Sequence, residues 1–178
     1  NTPLLSTKNL KNLSLTLNDY QQDFIEKYPK LKAQLHLKGY ILAFEQGLGK
    51  TLTAISLAEC LEVDHVYIVC PNSLKANWAL EIRKYYKKYE DEDLWRQEVF
   101  ICGDRPTLFS EHTTKFIITN NESIEKMYPY VMSGKNMLIL DESHNFRNIN
   151  SKRVTQLIEL RDKLRCEDSL IMSGTPIK

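Results

Sequence analysis

The stretch Tyr40-Ile-Leu-Ala-Phe-Glu-Gln-Gly-Leu-Gly-Lys-Thr51 decides the fold of this 178-residue chain. An apolar run of strand length ends at Phe44, and Gly47-x-Gly49-Lys50-Thr51 follows directly before a helical pattern. Glycines here let backbone N–H groups curl around phosphate oxygens, and the N-terminus of the next helix adds its positive dipole end. Lys50 supplies a charge for the outer phosphates, and the Thr51 hydroxyl can ligate magnesium. The stretch therefore predicts a phosphate-binding loop between a strand and a helix.

Apolar runs of strand length alternate along the chain with stretches of helical periodicity. The predicted strands are Tyr40–Phe44, His65–Cys70, Glu98–Cys102, Lys115–Thr119, Asn136–Asp141 and Ser169–Ser173. The predicted helices are Asn18–Tyr28, Lys50–Leu61, Ser73–Tyr89, Glu122–Met127 and Ser151–Arg165. Several strands are almost continuously apolar, as strands covered on both faces are. We therefore predict an α/β fold, a doubly wound and mainly parallel sheet with helices on both faces.

The composition is that of a soluble globular protein, with 42% hydrophobic and 26% charged residues. Its length suits one domain over residues 17–178, preceded by an irregular lead-in over residues 1–16. The 24 basic and 23 acidic residues leave a net charge of +1, so any contact with nucleic acid must be local. No apolar run is long enough to span a membrane, and we find no secretory signal.

The cysteines are widely scattered and form no Cys-x-x-Cys pair. They are Cys60, Cys70, Cys102 and Cys166. Their spacing fits neither a zinc site nor a disulfide framework. We predict reduced, buried thiols and an intracellular reducing compartment, such as the cytoplasm, the nucleus or a viral factory.

Polar clusters follow the predicted strands at the point where each strand ends. These clusters are Gly47–Thr51, Pro71-Asn72-Ser73, Asn120-Asn121, Asp141-Glu142 and Gly174-Thr175. Ligands of such sheets bind beyond the carboxyl ends of the strands, where these clusters would meet. The pattern therefore predicts one site along a single edge of the sheet.

The pair Asp141-Glu142 follows the apolar run Met137–Leu140. A carboxylate at a strand end can hold magnesium through its water shell, and a second one beside it can polarise the attacking water. A simple strand-ending turn is the alternative, since acidic residues are common there. The phosphate-binding loop earlier in the chain favours the catalytic interpretation.

Two further clusters are ambiguous when each is taken alone. Ser173-Gly174-Thr175-Pro176 could relay the state of the phosphates to another part of the protein, and it is also an ordinary turn. The Gln21 amide offers the donor and acceptor that an adenine edge needs. The same residues fit the first turn of a surface helix with Asn18 as its cap.

The basic and aromatic segment Arg83–Tyr89 has a composition suited to nucleic-acid contact. However, its aromatic residues continue a helical spacing that starts at Trp78 and Ile82. A helix that packs its aromatic face on the sheet, with its basic residues in water, is the better interpretation. The acidic turn Tyr89–Asp93 is predicted to be a solvated loop.

The motifs, taken together and in this order, resemble the first RecA-like lobe of a superfamily 2 helicase. They are most similar to the Swi/Snf-type DNA translocases, whose phosphate loop, Asp-Glu-x-Gly-Leu-Gly-Lys-Thr, matches Phe44–Thr51. The remaining similar segments are Tyr20-Gln21, Pro71–Ile82, Ile118–Glu122, Asp141–His144 with Arg147-Asn148, and Leu170–Ile177. The short spacers between the motifs resemble compact viral or phage members.

The resemblance implies a RecA-like, P-loop fold that binds ATP and Mg²⁺ and contacts nucleic acid, most simply the backbone of duplex DNA. The implied catalytic residues are Lys50, Asp141 and Glu142, with magnesium on Thr51 and Asp141. The implied nucleotide-binding residues are Gln21, Glu45, Gln46, Gly47, Leu48, Gly49, Lys50 and Thr51. Coupling is implied for His144, Ser173, Gly174 and Thr175, and nucleic-acid contact for Ser73, Lys75, Asn77 and Asn120.

The chain departs from the pattern of that family at a few positions. Phe44 replaces the usual Asp and Ser143 replaces Ala, which leaves the catalytic groups intact. Asn120-Asn121 stands where Ser/Thr-Tyr is usual, which weakens the assignment of individual nucleic-acid contacts. The family also uses a second RecA-like lobe with arginines that complete the site, and we expect this chain alone to bind ATP and hydrolyse it poorly. The alternatives are a lobe of an RNA helicase of the Asp-Glu-x-His type and a non-catalytic interaction domain.

Overall fold

The structure, a computed structural model, describes residues 2–34, 41–44, 49–103, 109–142 and 150–173, with the backbone alone at residues 41–44 and 173. Its α-helices are α1 Asp19–Gln34, α2 Lys50–Cys60, α3 Lys75–Tyr85, α4 Glu92–Glu98 and α5 Ser151–Lys163. Its strands are β1 Ile41–Phe44, β2 His65–Cys70, β3 Val99–Ile101, β4 Phe116–Asn120, β5 Asn136–Glu142 and β6 Cys166–Ser173. Four 3₁₀ segments complete the described elements: Lys8–Asn12, Asn72–Leu74, Lys87–Glu90 and Asn121–Tyr130.

The six strands form one parallel sheet in the order β1-β6-β5-β2-β4-β3. In its register Phe44 lies opposite Ser173, and Ser173 lies opposite Glu142. The carboxyl ends of three adjacent strands therefore lie level with one another. The predicted α/β class with a parallel sheet is confirmed.

Helices cover both faces of the sheet. Successive residues of a strand point to opposite faces, so each strand can contribute side chains to both layers of helices. In β2, Val66 and Ile68 belong to an apolar cluster with α1, α2 and α3, whereas Tyr67 and Val69 belong to a cluster with α5 and the 3₁₀ segment Asn121–Tyr130. All four are at most 1% exposed. Burial on both sides accounts for the continuously apolar strands in the sequence.

Helix α1 extends beyond the predicted end at Tyr28 and continues through Pro29 to Gln34. The Tyr28 hydroxyl and the Lys32 ammonium both donate to Asp168 Oδ1, each at 2.9 Å. Contacts on both sides of the proline therefore hold the helix against β6. Proline disfavours a position inside a helix, and these tertiary contacts overcome that tendency.

The predicted helix Ser73–Tyr89 is divided into several elements. Helix α3 ends at Tyr85 because Tyr86 has an extended backbone, and Ser14 N donates to the Tyr85 carbonyl at 2.6 Å. The acidic turn is not simply a solvated loop: Tyr89 is fully buried, and Asp91 caps α4 by accepting from two backbone N–H groups. The predicted packing is confirmed, since the aromatic residues of this region are buried and its lysines are exposed.

The remaining boundaries differ from the predictions at their ends. Strand β3 begins at Val99 because Glu98 is the last residue of α4, and β6 begins earlier than predicted, at Cys166. The predicted helix Glu122–Met127 is the 3₁₀ segment Asn121–Tyr130, with a kink at Ser123. The Thr119 hydroxyl donates to the Ser123 carbonyl at 3.1 Å and gives that carbonyl a partner outside a helical ladder.

The segment predicted as an irregular lead-in contains a short 3₁₀ helix that packs on the domain. Asn9 and Asn12 donate from their side-chain amides to the carboxylates of Glu62 and Glu59, each at 3.0 Å. Leu13 is 4% exposed and joins the apolar cluster on the α1, α2 and α3 face. In the described part of the chain, no helix is long and apolar enough to cross a membrane.

The four cysteines are free and buried, as the sequence predicts. Burial raises the pKa of Cys60, Cys70 and Cys166 to about 12 and that of Cys102 to about 11. A thiol is the nucleophile only as its thiolate, so these side chains are inert at neutral pH.

Candidate functional site

Lys50 and Asp141 form a partly buried ion pair at the carboxyl end of the sheet. Lys50 is the first residue of α2, and Gly49 before it has φ +131°, a backbone conformation that favours glycine. The Lys50 ammonium donates to Asp141 Oδ1 at 2.8 Å. The Asp141 side chain is only 3% exposed, so its charge needs a partner inside the protein. The structure therefore joins the lysine of the predicted phosphate loop to the predicted magnesium ligand.

Trp78 supplies the second partner of Asp141. Its indole Nε1 donates to Asp141 Oδ2 at 2.9 Å, and the tryptophan is 1% exposed. The sequence predicted that Trp78 packs on the sheet, and it does, but its contact with the carboxylate was missed. The usable signal was general: a buried indole N–H almost always has an acceptor.

Glu142 points to the opposite face of the sheet from Asp141, because it is the next residue in β5. Arg153, in the first turn of α5, donates from Nη2 to Glu142 Oε1 at 2.6 Å. The same nitrogen donates to Asn121 Oδ1 at 2.5 Å. Sequence reasoning assigned no role to Arg153. A signal was present, because two basic residues and no acidic one stand in the first turn of α5, where the helix dipole disfavours positive charge.

Gln21 is at the same time part of a helix cap and a neighbour of Gly49, the residue before α2. Its backbone N donates to Asn18 Oδ1 at 2.8 Å, and its Oε1 accepts from Asn18 N at 3.0 Å. Its side-chain Nε2 donates to the Gly49 carbonyl at 3.3 Å. The predicted Asn18 cap is therefore present, and the amide predicted to bind adenine lies beside the end of the loop. The preceding Tyr20 is 66% exposed.

The side chains implied as magnesium ligands have suitable chemistry. Asp141 is a buried carboxylate that already faces a cation, and Thr51, in the first turn of α2, is partly exposed. In the described ranges, no group of three or more His, Cys, Asp or Glu could hold a metal by itself. Magnesium is usually bound through one or two carboxylates, waters and substrate phosphates, so a carboxylate and a hydroxyl fit it.

A groove of about 480 Å³ lies beside the ends of β2 and β4. Its lining includes two residues of the predicted nucleic-acid interface, Lys75 and Asn120, and a further cation, Lys126. Asn120 donates to Glu122 Oε2 at 2.6 Å, and this hydrogen bond holds the pKa of Glu122 below its usual range.

The structure does not bring all the predicted residues into one place. Ser73 and Asn77 are exposed near Lys75 but do not line the groove. Only the backbone of Ser173 is described, level with Glu142. The remaining predicted residues lie outside the described ranges: Glu45, Gln46, Gly47, Leu48, His144, Gly174 and Thr175.

The chain is similar to several large proteins. It is 35% identical to the TATA-binding protein-associated factor BTAF1 of Arabidopsis thaliana over 93% of its own length and 8% of that protein. It is 30% identical to the chromatin-remodeling ATPase INO80 of Lodderomyces elongisporus over 98% of its length and 12% of that protein. It is also 30% identical to the DNA repair protein rhp54 of Schizosaccharomyces pombe over 79% of its length and 18% of that protein. The chain thus spans less than a fifth of the length of each of these relatives.

The SNF2-related domain family matches residues 20–178, which is most of the chain. The match agrees with the resemblance to Swi/Snf-type helicase-like ATPases that the motifs indicate, and that resemblance is confirmed. The chain belongs to the SNF2-related domain family.

Proposed function

We propose that this chain is the ATP-binding lobe of a DNA-dependent ATPase that couples hydrolysis to movement along duplex DNA. The observation that carries the proposal is the Lys50–Asp141 ion pair at the end of β5, where Glu142 is the next residue of the strand. Family membership supports it, as does the similarity to a chromatin-remodeling ATPase and to a DNA repair protein.

In this proposal Gly47–Thr51 would hold the phosphates of ATP, and the Lys50 ammonium, which now pairs with Asp141, would neutralise the β- and γ-phosphates. Asp141 and Thr51 would hold Mg²⁺, which supplies neutralisation of the phosphate charge. Glu142 would orient the attacking water and accept its proton. Gln21 would turn its amide from the Gly49 carbonyl to the adenine edge.

Coupling and nucleic-acid contact are assigned to the neighbouring strand ends. Ser173, with Gly174, Thr175 and His144, would transmit the state of the nucleotide to the rest of the protein. Lys75 and Asn120 would contact the phosphate backbone of duplex DNA in the groove, with Ser73 and Asn77 beside them. Such contacts are independent of sequence and weaken as salt is added.

A second RecA-like lobe would complete the site in the whole protein. The family resemblance implies that this lobe contributes arginines, and an arginine of that kind can contribute about 10³–10⁵ in rate. We therefore expect the 178-residue chain to bind ATP and to hydrolyse it slowly. An intracellular, reducing location is consistent with four free, buried cysteines.

Calorimetric titration of the chain with ATP and magnesium tests the proposal. We expect saturable binding, slow hydrolysis and little stimulation of that hydrolysis by duplex DNA. No binding at millimolar ATP would favour a non-catalytic interaction domain. Strong DNA-stimulated turnover by this chain alone would contradict the need for a second lobe.

The nucleic acid is identified by a separate titration. Fluorescence anisotropy with a duplex DNA, a single-stranded DNA and an RNA of the same sequence compares their affinities for the chain. Tightest binding of duplex DNA, falling steeply with salt, is expected. Tightest binding of RNA would favour the RNA helicase alternative.

A further inference from the structure

Arg153 occupies a helical position where a positive charge is unfavourable. It lies in the first turn of α5, whose cap Asn150 accepts from Arg153 N at 2.8 Å. The N-terminus of a helix carries partial positive charge, and this turn contains no acidic residue to offset the guanidinium. A residue that breaks a local preference in this way usually has a compensating contact elsewhere.

The compensating contacts of Arg153 connect two different functional regions. Its Nη2 has two hydrogens, and two acceptors lie within reach, Glu142 Oε1 at 2.6 Å and Asn121 Oδ1 at 2.5 Å. The side chain of Glu142 is 7% exposed and that of Arg153 is 20% exposed. A buried carboxylate depends on such a partner to stabilise its charge. A movement of the guanidinium therefore changes the electrostatic environment of Glu142.

Asn121 connects this ion pair to the groove. It follows Asn120, the last residue of β4, and precedes Glu122, and both of these neighbours line the groove. Asn120 and Glu122 are hydrogen-bonded to each other, so the three consecutive residues form one compact turn. A ligand that displaces this turn must also displace the Asn121 amide oxygen.

We propose that Arg153 is a positioning residue that couples Glu142 to the groove. Duplex DNA in the groove moves the turn Asn120–Glu122, and Asn121 and Arg153 transmit this movement to the Glu142 carboxylate. The inference deepens the proposed function, on which it rests for the DNA and for the role of Glu142. It adds a route for the coupling that runs through α5 and along the face of the sheet opposite the Lys50–Asp141 pair.

Nuclear magnetic resonance of the ¹⁵N-labelled chain tests the route without any measurement of hydrolysis. A short DNA duplex is titrated into the wild type without nucleotide, and backbone amide shifts are followed. We expect shifts at residues 120–122 and at Glu142, and a shift of the Arg153 Nε–H signal. Asn121→Ala removes the link and keeps the Glu142–Arg153 ion pair. In this variant residues 120–122 should still respond, while the Glu142 response falls by at least about half.

Three further variants distinguish coupling from a structural role. Arg153→Ala should abolish the Glu142 response, and Arg153→Lys, which keeps the charge, should restore part of it. Lys152→Ala changes an exposed residue in the same turn and should behave as the wild type.

The possible failures are distinguishable. An unchanged Glu142 response in both Asn121→Ala and Arg153→Ala would overturn the inference and leave the proposed function intact. The same holds if residues 120–122 of the wild type respond to DNA and Glu142 does not. Absence of any response to duplex DNA would contradict the proposed DNA contact and the inference together.

Discussion

Two buried aspartates lie on the adjacent strands β5 and β6, one near a carboxyl end and the other near an amino end. Each accepts hydrogen bonds from a lysine and an aromatic side chain. Asp141, near the end of β5, accepts from Lys50 and from the indole of Trp78. Asp168, near the start of β6, accepts from Lys32 and from the hydroxyl of Tyr28. Each aspartate side chain is 3% exposed. Local chemistry alone does not distinguish the carboxylate with a proposed function from the other one.

The difference between the two pairs lies in where their lysines stand. Lys50 begins α2 directly after Gly49, at the edge where parallel strands end and ligands bind. Lys32 lies near the end of α1, and its side chain is 44% exposed, against 24% for Lys50. We therefore propose a function for the Lys50–Asp141 pair only because of its place at the carboxyl edge of the sheet.

The largest expected effect is a difference in ATP affinity between variants of Lys50 and Lys32. Lys50→Ala should lower the affinity for ATP and magnesium by at least about 100-fold, since charge-assisted contacts to the phosphates are lost. Lys32→Ala removes an ion pair of similar geometry and should change that affinity by less than about twofold. Calorimetry measures both, and thermal unfolding checks that each variant is folded. Equal losses of affinity would mean that both lysines act only through the fold.

A smaller expected effect is a difference in nucleotide binding between variants of the two aromatic donors, Trp78 and Tyr28. Trp78→Phe and Tyr28→Phe each remove one hydrogen bond to a buried carboxylate and keep most of the apolar contact. Each should lower the free energy of unfolding by about 1.5–3 kcal/mol, measured with urea. Only Trp78→Phe should also weaken binding of ATP with magnesium, because only Asp141 is a proposed ligand. Weaker nucleotide binding in Tyr28→Phe would remove the distinction.

The smallest expected effect is a pH dependence of stability that comes from one cysteine near each aspartate. Burial, and then the nearby charge of Asp141 or Asp168, raises the pKa of Cys70 and Cys166 to about 12, above the value of 9.0 for an unperturbed thiol. Stability from these protonated thiols is therefore complete below pH 9 and is lost as the pH rises toward 12.

Urea unfolding at pH 8 and at pH 10.5 measures this loss. Cys70→Ala and Cys166→Ala should each show a smaller decrease between the two pH values than the wild type. A decrease identical to that of the wild type in both variants would contradict the assignment.

Much of the fold was predictable because its signals are local. Runs of apolar residues predicted six strands, and the structure contains a strand at each of those positions. The predicted helix boundaries are wrong where contacts between distant parts of the chain determine them. Helix α1 passes Pro29 because Tyr28 and Lys32 bind Asp168, and α3 stops at Tyr85 where the N-terminal segment pairs with the chain.

The candidate site also has one part that short motifs predict and another part that depends on tertiary contacts. Lys50, Asp141 and Glu142 could be proposed from motifs, because each belongs to a short sequence pattern at a strand end. The contacts of Trp78 and Arg153 with the two carboxylates could not be predicted from motifs, since their partners lie 63 and 11 residues away along the chain. Their contacts require the packing of α3 and α5 on opposite faces of the sheet.

The sequence by itself determined the class of fold, the position of a predicted phosphate loop and the two acidic residues at the end of β5. Those features follow from periodicity and from short motifs, which contiguous residues carry. Only the tertiary structure decided which cation each carboxylate meets, Lys50 for Asp141 and Arg153 for Glu142. The reason is geometric: consecutive residues of a strand face opposite sides, and the helix packed on each side supplies the partner.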